Sequence, residues 1–291
     1  MVFLLMNLST IRIHKTRLAM NFIPHLTLLE PKGLIALQER DLMLTATYLM
    51  LLIVIPVFIL TALIAWRYRS SNTRAKYTPN WEHNKLEEFI WWTIPCVIVI
   101  VLANMTWKSS QSLDPYRAIP SVTKSLAVQV VALNWKWLFI YPEQHIATVN
   151  YLLIPIDTPI HFQITADAPM NSFWIPDLAG QIYAMPGMMT QLHLIASETG
   201  IYPGVSANFS GAGFAGMKFE THVVSVADFS LWVQTISQTP AALSQVTYRP
   251  LAAPSMDNKA QYFRLSDSSL FSDIIASYMV PEKNRMDMTH K

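Results

Sequence analysis

Two long runs without charge stand in the first third of the chain, and short alternating runs fill most of the remainder. Leu42 to Trp66 spans 25 residues with no charged side chain, and Phe89 to Trp107 spans 19. Roughly 20 apolar residues cross a hydrocarbon core as a helix, so both runs are expected to be transmembrane. A buried soluble helix is the alternative for the shorter one. Pro56 should kink the first run locally, which a membrane helix packed against neighbours tolerates. Trp91, Trp92 and Trp107 lie near the ends of the second, at the level of the aromatic belts.

Between these runs, residues 67–88 carry Arg67, Arg69, Arg74, Lys76 and Lys85. Positive residues stay on the cytoplasmic side, which places this loop inside and everything beyond Trp107 outside. Ser109 to Ser125, a polar stretch with Pro115 and Pro120, then serves as a connector.

From Leu126 the period changes. Leu126 to Leu133, Trp135 to Tyr141 and Ala147 to Leu153 are short β-prone runs. Ile160 to Thr165 alternates, with Ile160, Phe162 and Ile164 on one face and His161, Gln163 and Thr165 on the other. Gln191 to Leu194 repeats the pattern and turns His193 away from Leu192 and Leu194, while Met217 to Val226 supplies a last strand with Lys218, Glu220 and His222 on one face. Many short strands with no long helical pattern predict an antiparallel sandwich or barrel. After Asp228 the pattern is mixed and partly helical, and Tyr262, Phe263, Phe271 and Tyr278 argue that this tail packs against something.

The expected organisation is therefore a leader and outer segment (1–41), a transmembrane hairpin (42–107) with its cytoplasmic loop (67–88), and a linker (108–125). A β-sandwich (126–228) and an aromatic-containing C-terminal extension (229–291) complete it. The leader's cluster of Arg12, His14, Lys15 and Arg17 fits either a weak export signal or a disordered leader.

Composition agrees with a membrane protein: 52% hydrophobic residues, 14% charged, and a mean hydropathy of +0.28. A net charge of +2 gives no reason to expect a nucleic-acid partner. The single cysteine, Cys96, lies inside the second apolar run and can form neither an intrachain disulfide nor a thiolate pair.

Gly204-Val-Ser-Ala-Asn-Phe-Ser-Gly-Ala-Gly-Phe-Ala-Gly-Met217 holds four of the chain's eight glycines between strand-like runs. Such a cluster marks a tightly folded loop, either a ligand loop or a plain surface turn. Ser206 and Ser210 lack a G-x-S-x-G elbow and an evident acid–histidine partnership, which argues against serine catalysis. Met185, Met188 and Met189 near His193 are residue types of a soft-metal site, yet methionine is also an ordinary gap-filler. No metal is expected in this chain.

This loop resembles the copper loop of subunit II of the haem–copper respiratory oxidases, in which a cupredoxin domain holds a binuclear copper centre. In that pattern two cysteines flank a residue that binds through its carbonyl, a histidine follows and a methionine closes the loop. Here those positions read Ser206, Asn208, Ser210, Phe214 and Met217. The position of an earlier ligand histidine, before Ser172-Phe-Trp-Ile-Pro176, reads Asn171. The resemblance runs from the first apolar run through Val226 and selects the quinol oxidases, of the cytochrome o ubiquinol oxidase type, whose subunit II has lost the copper ligands.

That resemblance implies a two-helix transmembrane hairpin followed by an all-β cupredoxin-like sandwich and a mixed, partly helical C-terminal extension. It implies no catalytic residue and no cofactor in this chain. Haems, copper and the ubiquinol site would belong to subunit I, with the smaller membrane subunits III and IV and the lipid bilayer as further partners. The expected location is the bacterial inner membrane, multi-pass, with the C-terminal domain periplasmic. Glu88, seven residues before Pro95, matches a glutamate near the mouth of a proton channel, and Trp135 and Trp137 resemble the aromatic patch where electrons arrive in cytochrome c oxidases. Without copper beneath them, these tryptophans are expected to serve packing and subunit contact. The alternatives are a membrane-anchored cupredoxin-like binding or assembly module and a cytochrome c oxidase subunit II.

Overall fold

The computed structural model describes residues 29–75, 78 and 84–279. The leader's basic cluster, Lys76 and the final residues 280–291 lie outside the described residues.

Helix α1 (Leu34–Arg67) starts eight residues ahead of the charge-free run. At 34 residues it is about 50 Å long, well beyond a hydrocarbon core of ~30 Å. Its first turns, with Glu39, Arg40 and Asp41, therefore rise out of the apolar layer. The segment before it is stapled to the outer domain: the Lys32 amide donates to the Asp177 carbonyl (2.7 Å), the Leu34 amide to the Ile195 carbonyl (3.2 Å), and Lys32 pairs with Glu198 (2.9 Å). Gly33 bridges to Ala196, and a Cβ there would collide with the Leu178 backbone, so only glycine permits this approach. Helix α2 (Lys85–Ser112) opens on Asn84, whose side chain accepts from the Leu86 amide, and carries Glu87 and Glu88 in its first turn, where the helix dipole favours carboxylates. Almost every side chain on the apolar stretches of both helices is exposed in this chain alone.

The outer domain has two sheets. Strands β1 (Leu126–Leu133), β2 (Lys136–Tyr141), β3 (Ile146–Val149), β5 (Ile160–Ala166) and β8 (Thr190–Leu194) join two late strands, β11 (Ala242–Leu243) and β12 (Gln261–Leu265), in the order β11-β12-β3-β2-β1-β5-β8. The second sheet runs β4-β10-β9-β6-β7, from β4 (Tyr151–Pro155), β6 (Asn171–Trp174), β7 (Ile182–Ala184), β9 (Gly200–Ser206) and β10 (Lys218–Val224). The expected run Ala147–Leu153 is two strands in different sheets. Asn150, at φ 54°, makes the corner, and its side-chain amide is held by bonds to the Trp137 amide and the Asn258 carbonyl. Nor is the sandwich purely antiparallel, because β1–β5, β4–β10 and β11–β12 pair in parallel. Chain crossings between sheets bring those strands together from afar, and alternation within one strand carries no trace of it.

The sandwich core is aromatic. Phe173 stacks on Phe219 (5.2 Å between centroids), with Trp137, Phe139 and Phe162 edge-on or tilted around them. Ile160, Phe162 and Ile164 line this core as the alternation predicts, but Thr165 is also buried.

The C-terminal extension closes the opposite face of the larger sheet. Helix α3 (Val226–Ser237) packs Phe229 and Ile236 against the sandwich, while α4 (Gln245–Ala252) and α5 (Leu270–Ser277) cover Val131, Leu133, Leu138, Ile140, Ala147 and Val149 with Leu243, Tyr248, Leu270, Phe271 and Ile274. A sheet buried on both faces needs apolar residues at consecutive positions, and β2 with its run Trp137–Tyr141 has them. Polar pins fix the extension in place. Tyr248 and Tyr278 each donate to one oxygen of the Asp167 carboxylate (both 2.6 Å), and buried Lys136 donates to the Ala253 carbonyl (2.8 Å) and Ser255 Oγ (2.5 Å). Burial pushes the Lys136 ammonium down and the Tyr248 hydroxyl up from their ordinary ranges.

Candidate functional site

The glycine-rich loop leaves β9 at Ser206 and returns through a 3₁₀ turn (Phe214–Gly216) to Met217 at the head of β10. Ser206, nearly buried, donates from Oγ to Asn171 Oδ1 (2.8 Å), and the same hydroxyl lies 3.4 Å from the Asn208 carbonyl. Asn171 in turn donates to the Pro169 carbonyl (2.7 Å), Asn208 to the Met170 carbonyl (3.0 Å), and the Ala207 amide to the Ser172 carbonyl (3.0 Å). Met217 is buried, and its carbonyl accepts the Ser206 amide (3.2 Å). Hydrogen bonds thus join Asn171, Ser206, Asn208 and Met217 in one cluster.

Ser210 and Phe214 take other partners. The Ser210 carbonyl accepts the Trp135 indole N–H (3.2 Å), whereas its buried hydroxyl makes no hydrogen bond among the described residues. Phe214 meets the exposed ring of Phe209 edge-on (5.6 Å). What the loop offers chemically is a set of neutral hydroxyl and amide groups, most of them committed to hydrogen bonds with one another or with nearby carbonyls, and no side chain that is anionic near neutral pH.

Trp135 and Trp137 part company. Trp135 occupies the β1–β2 turn at φ 65°, half-buried, with its ring so close to Gly213 that a Cβ there would collide with it. Trp137 is fully buried in the aromatic core and has no surface to offer a partner subunit. The expectation of packing and subunit contact treated the two alike, as alternate residues of one strand, whereas the strand begins at Lys136 and leaves Trp135 in the turn.

Glu88 sits half-buried in the first turn of α2, its amide bonded to the Asn84 carbonyl (2.9 Å). One arrangement escaped the sequence reading. His161 and His193 are directly opposed on β5 and β8, and their rings stack at 4.5 Å with a 3° tilt. His193 Nδ1 donates to the Pro115 carbonyl in the linker (3.0 Å). Burial holds His161 below the ordinary imidazole range, with the Gln191 contact opposing and the neighbouring His193 reinforcing. Outward alternation of each histidine was legible, but the pairing of their strands was not.

An apolar hairpin anchoring a mixed two-sheet sandwich, with a covering extension, defines a membrane-anchored outer-domain protein of the oxidase subunit II class. Its parts match the family models described as the transmembrane domain of cytochrome c oxidase subunit II (residues 32–108), the periplasmic domain of the same subunit (143–224) and the COX aromatic rich motif (238–282). The cytochrome bo(3) ubiquinol oxidase subunit 2 of Pseudomonas aeruginosa is 50% identical over 253 residues, covering 87% of this chain and 76% of that one. The ubiquinol oxidase subunit 2 of Acetobacter aceti is 49% identical over 264 residues, 89% of this chain and 86% of that one. The quinol oxidase subunit 2 of Bacillus cereus is 40% identical over 230 residues, 79% of each. The chain belongs to the ubiquinol oxidase subunit 2 family.

Proposed function

We propose that this chain is the non-copper subunit II of a proton-translocating ubiquinol oxidase in a bacterial inner membrane. The single observation that carries this reading is identity at about half of all positions, across anchor, sandwich and extension together, with subunits named for ubiquinol oxidation. In this reading, haems and copper reside in subunit I, where quinol is oxidised and oxygen reduced, and subunits III and IV complete the complex. The sandwich faces the periplasm and the basic loop between α1 and α2 faces the cytoplasm.

The loop supports quinol as donor. A binuclear copper centre draws on thiolate and imidazole ligands, and the set at Asn171, Ser206, Asn208, Ser210 and Phe214 does not fit it. The Ser206–Asn171 bond instead holds the loop's shape without metal. A donor dissolved in the bilayer reaches subunit I directly, so a relay facing water has no task. Glu88 is the carboxylate we assign to the cytoplasmic mouth of the proton path, and Trp135 remains as an aromatic surface beside the loop.

Co-purification tests the assignment. Gentle detergent extraction of the tagged chain should bring down a haem-bearing subunit with quinol oxidase activity, and Glu88→Gln should slow oxygen reduction while leaving that assembly intact. Recovery of the chain without haem would favour a free-standing anchored module. Unchanged turnover across pH in the Glu88 variant would remove that residue from the proton path.

A further inference from the structure

A cavity of about 620 Å³ opens where the outer domain meets the membrane hairpin. Its walls come from the first turns of α1 (Leu34, Ile35, Gln38, Glu39), from the linker after α2 (Ser112 to Pro120, including Asp114 and Arg117) and from the sandwich (Trp174, Gly180, Gln181, Leu192, His193).

Its depth follows from the apolar runs. Glu39 is three residues above Leu42 and Ser112 five beyond Trp107, about 5 and 8 Å along a helix, which is the thickness of a headgroup layer. Within that layer the cavity is amphipathic, with Leu34, Ile35, Ile119 and Trp174 beside charged groups.

Glu39 is the informative side chain. It is half-buried, and no hydrogen bond or ion pair reaches its carboxylate among the described residues. Its Oε1 lies directly against Gly180, where an added Cβ would make the carboxylate swing aside. The carboxylate opens onto the cavity, so a ligand there can supply the N–H donors that the surrounding protein does not. Asp114 adds a second negative charge, and Arg117, whose Nη1 donates to the Gln111 carbonyl (3.3 Å), is the one guanidinium on the cavity wall. His193 has its Nδ1 committed to Pro115 and its ring to His161.

We propose that this cavity binds the headgroup of a zwitterionic phospholipid with a primary amine, the ethanolamine type. Its ammonium sits against Glu39 and Asp114, its phosphate against Arg117, and its glycerol and upper acyl carbons along Leu34, Ile35 and Trp174. Primary ammonium brings three N–H donors to the unsatisfied carboxylate, whereas a choline headgroup brings none. Guanidinium is the side chain best matched to a phosphate. A purely anionic headgroup would face two carboxylates with one compensating charge.

Native mass spectrometry of the intact complex in gentle detergent tests this, after delipidation and re-addition of phosphatidylethanolamine, phosphatidylcholine or phosphatidylglycerol one at a time. The expected result is one tightly retained phosphatidylethanolamine per copy, at least fivefold more occupied than either other lipid. Glu39→Gln should erase that preference, and Glu39→Asp should keep part of it. The wild-type comparison stands even where a variant fails to assemble. Equal retention of the ethanolamine and choline lipids, preference for the glycerol lipid, no retained lipid, or undiminished preference in Glu39→Gln would each overturn the proposal.

Discussion

The outer domain and the membrane hairpin solve the same problem in opposite ways. Strands β2 and β3 of the larger sheet are buried at every position, and apart from the Trp137 indole N–H the polar groups around them find partners within the chain: Lys136 with Ala253 and Ser255, Asn150 with Trp137 and Asn258, Asp167 with two tyrosines. The hairpin instead presents Phe58, Leu60, Val99 and Ile100 outward with more than half of each exposed. One region is complete in itself; the other is complete only in a bilayer beside other helices. The glycine loop belongs to the first kind, since Ser206, Ala207 and Asn208 bond to the neighbouring strand at Asn171, Ser172 and Met170, whereas the cavity around Glu39 belongs to the second.

The largest effect is expected from emptying the aromatic core. Trp137→Ala should destabilise the outer domain by about 3–5 kcal/mol through lost burial and a residual void, lowering the midpoint of thermal unfolding followed by tryptophan fluorescence. Next in size, Asp167→Ala leaves Tyr248 and Tyr278 without their acceptor, at a cost of about 2–3 kcal/mol. Limited proteolysis should then cut faster between residues 238 and 279, with the sandwich itself intact. A smaller change is expected of Ser206→Ala, which removes one neutral hydrogen bond worth about 1 kcal/mol and should leave quinol-driven turnover unchanged. Val99→Ala, on the exposed face of α2, should leave the stability of the outer domain within the error of the same unfolding measurement.

Acidity separates the regions too. His161 titrates below the ordinary value of 6.5 in the folded domain. As pH falls below that value the unfolded chain binds a proton the folded one refuses, so stability declines with acidity across the window between the two values. His161→Gln should flatten this slope in unfolding midpoints measured from pH 7 downward; an unchanged slope would show that other groups set it.

Features that depend on one stretch of chain were legible in the sequence. Charge-free runs gave both spans, glycine density located the loop, and alternation in Ile160–Ile164 placed the core face. Where charge interrupted apolar periodicity, as at Glu39, Arg40 and Asp41, the outer turns of α1 were missed, since a helix projecting from a membrane no longer needs apolar residues. Pairings between distant strands were invisible. No local pattern says that β1 lies parallel to β5, that His161 meets His193, or that Gln261–Leu265 adds a strand to a sheet begun more than a hundred residues earlier. The convergence of Asn171 on Ser206 was expected from resemblance alone, and the hydrogen bond between them gives that expectation a physical form.

As a quinol oxidase subunit, this chain is proposed to pass no electron itself. The direct measurement is oxygen consumption by the purified complex with ubiquinol and with reduced cytochrome c as alternative donors, alongside metal content and near-infrared absorption. The expected result is rapid turnover with quinol, none above background with cytochrome c, and copper stoichiometry accounted for by the oxygen-reducing site of subunit I alone. Cytochrome c oxidation together with additional stoichiometric copper and near-infrared absorption from the outer domain would contradict it.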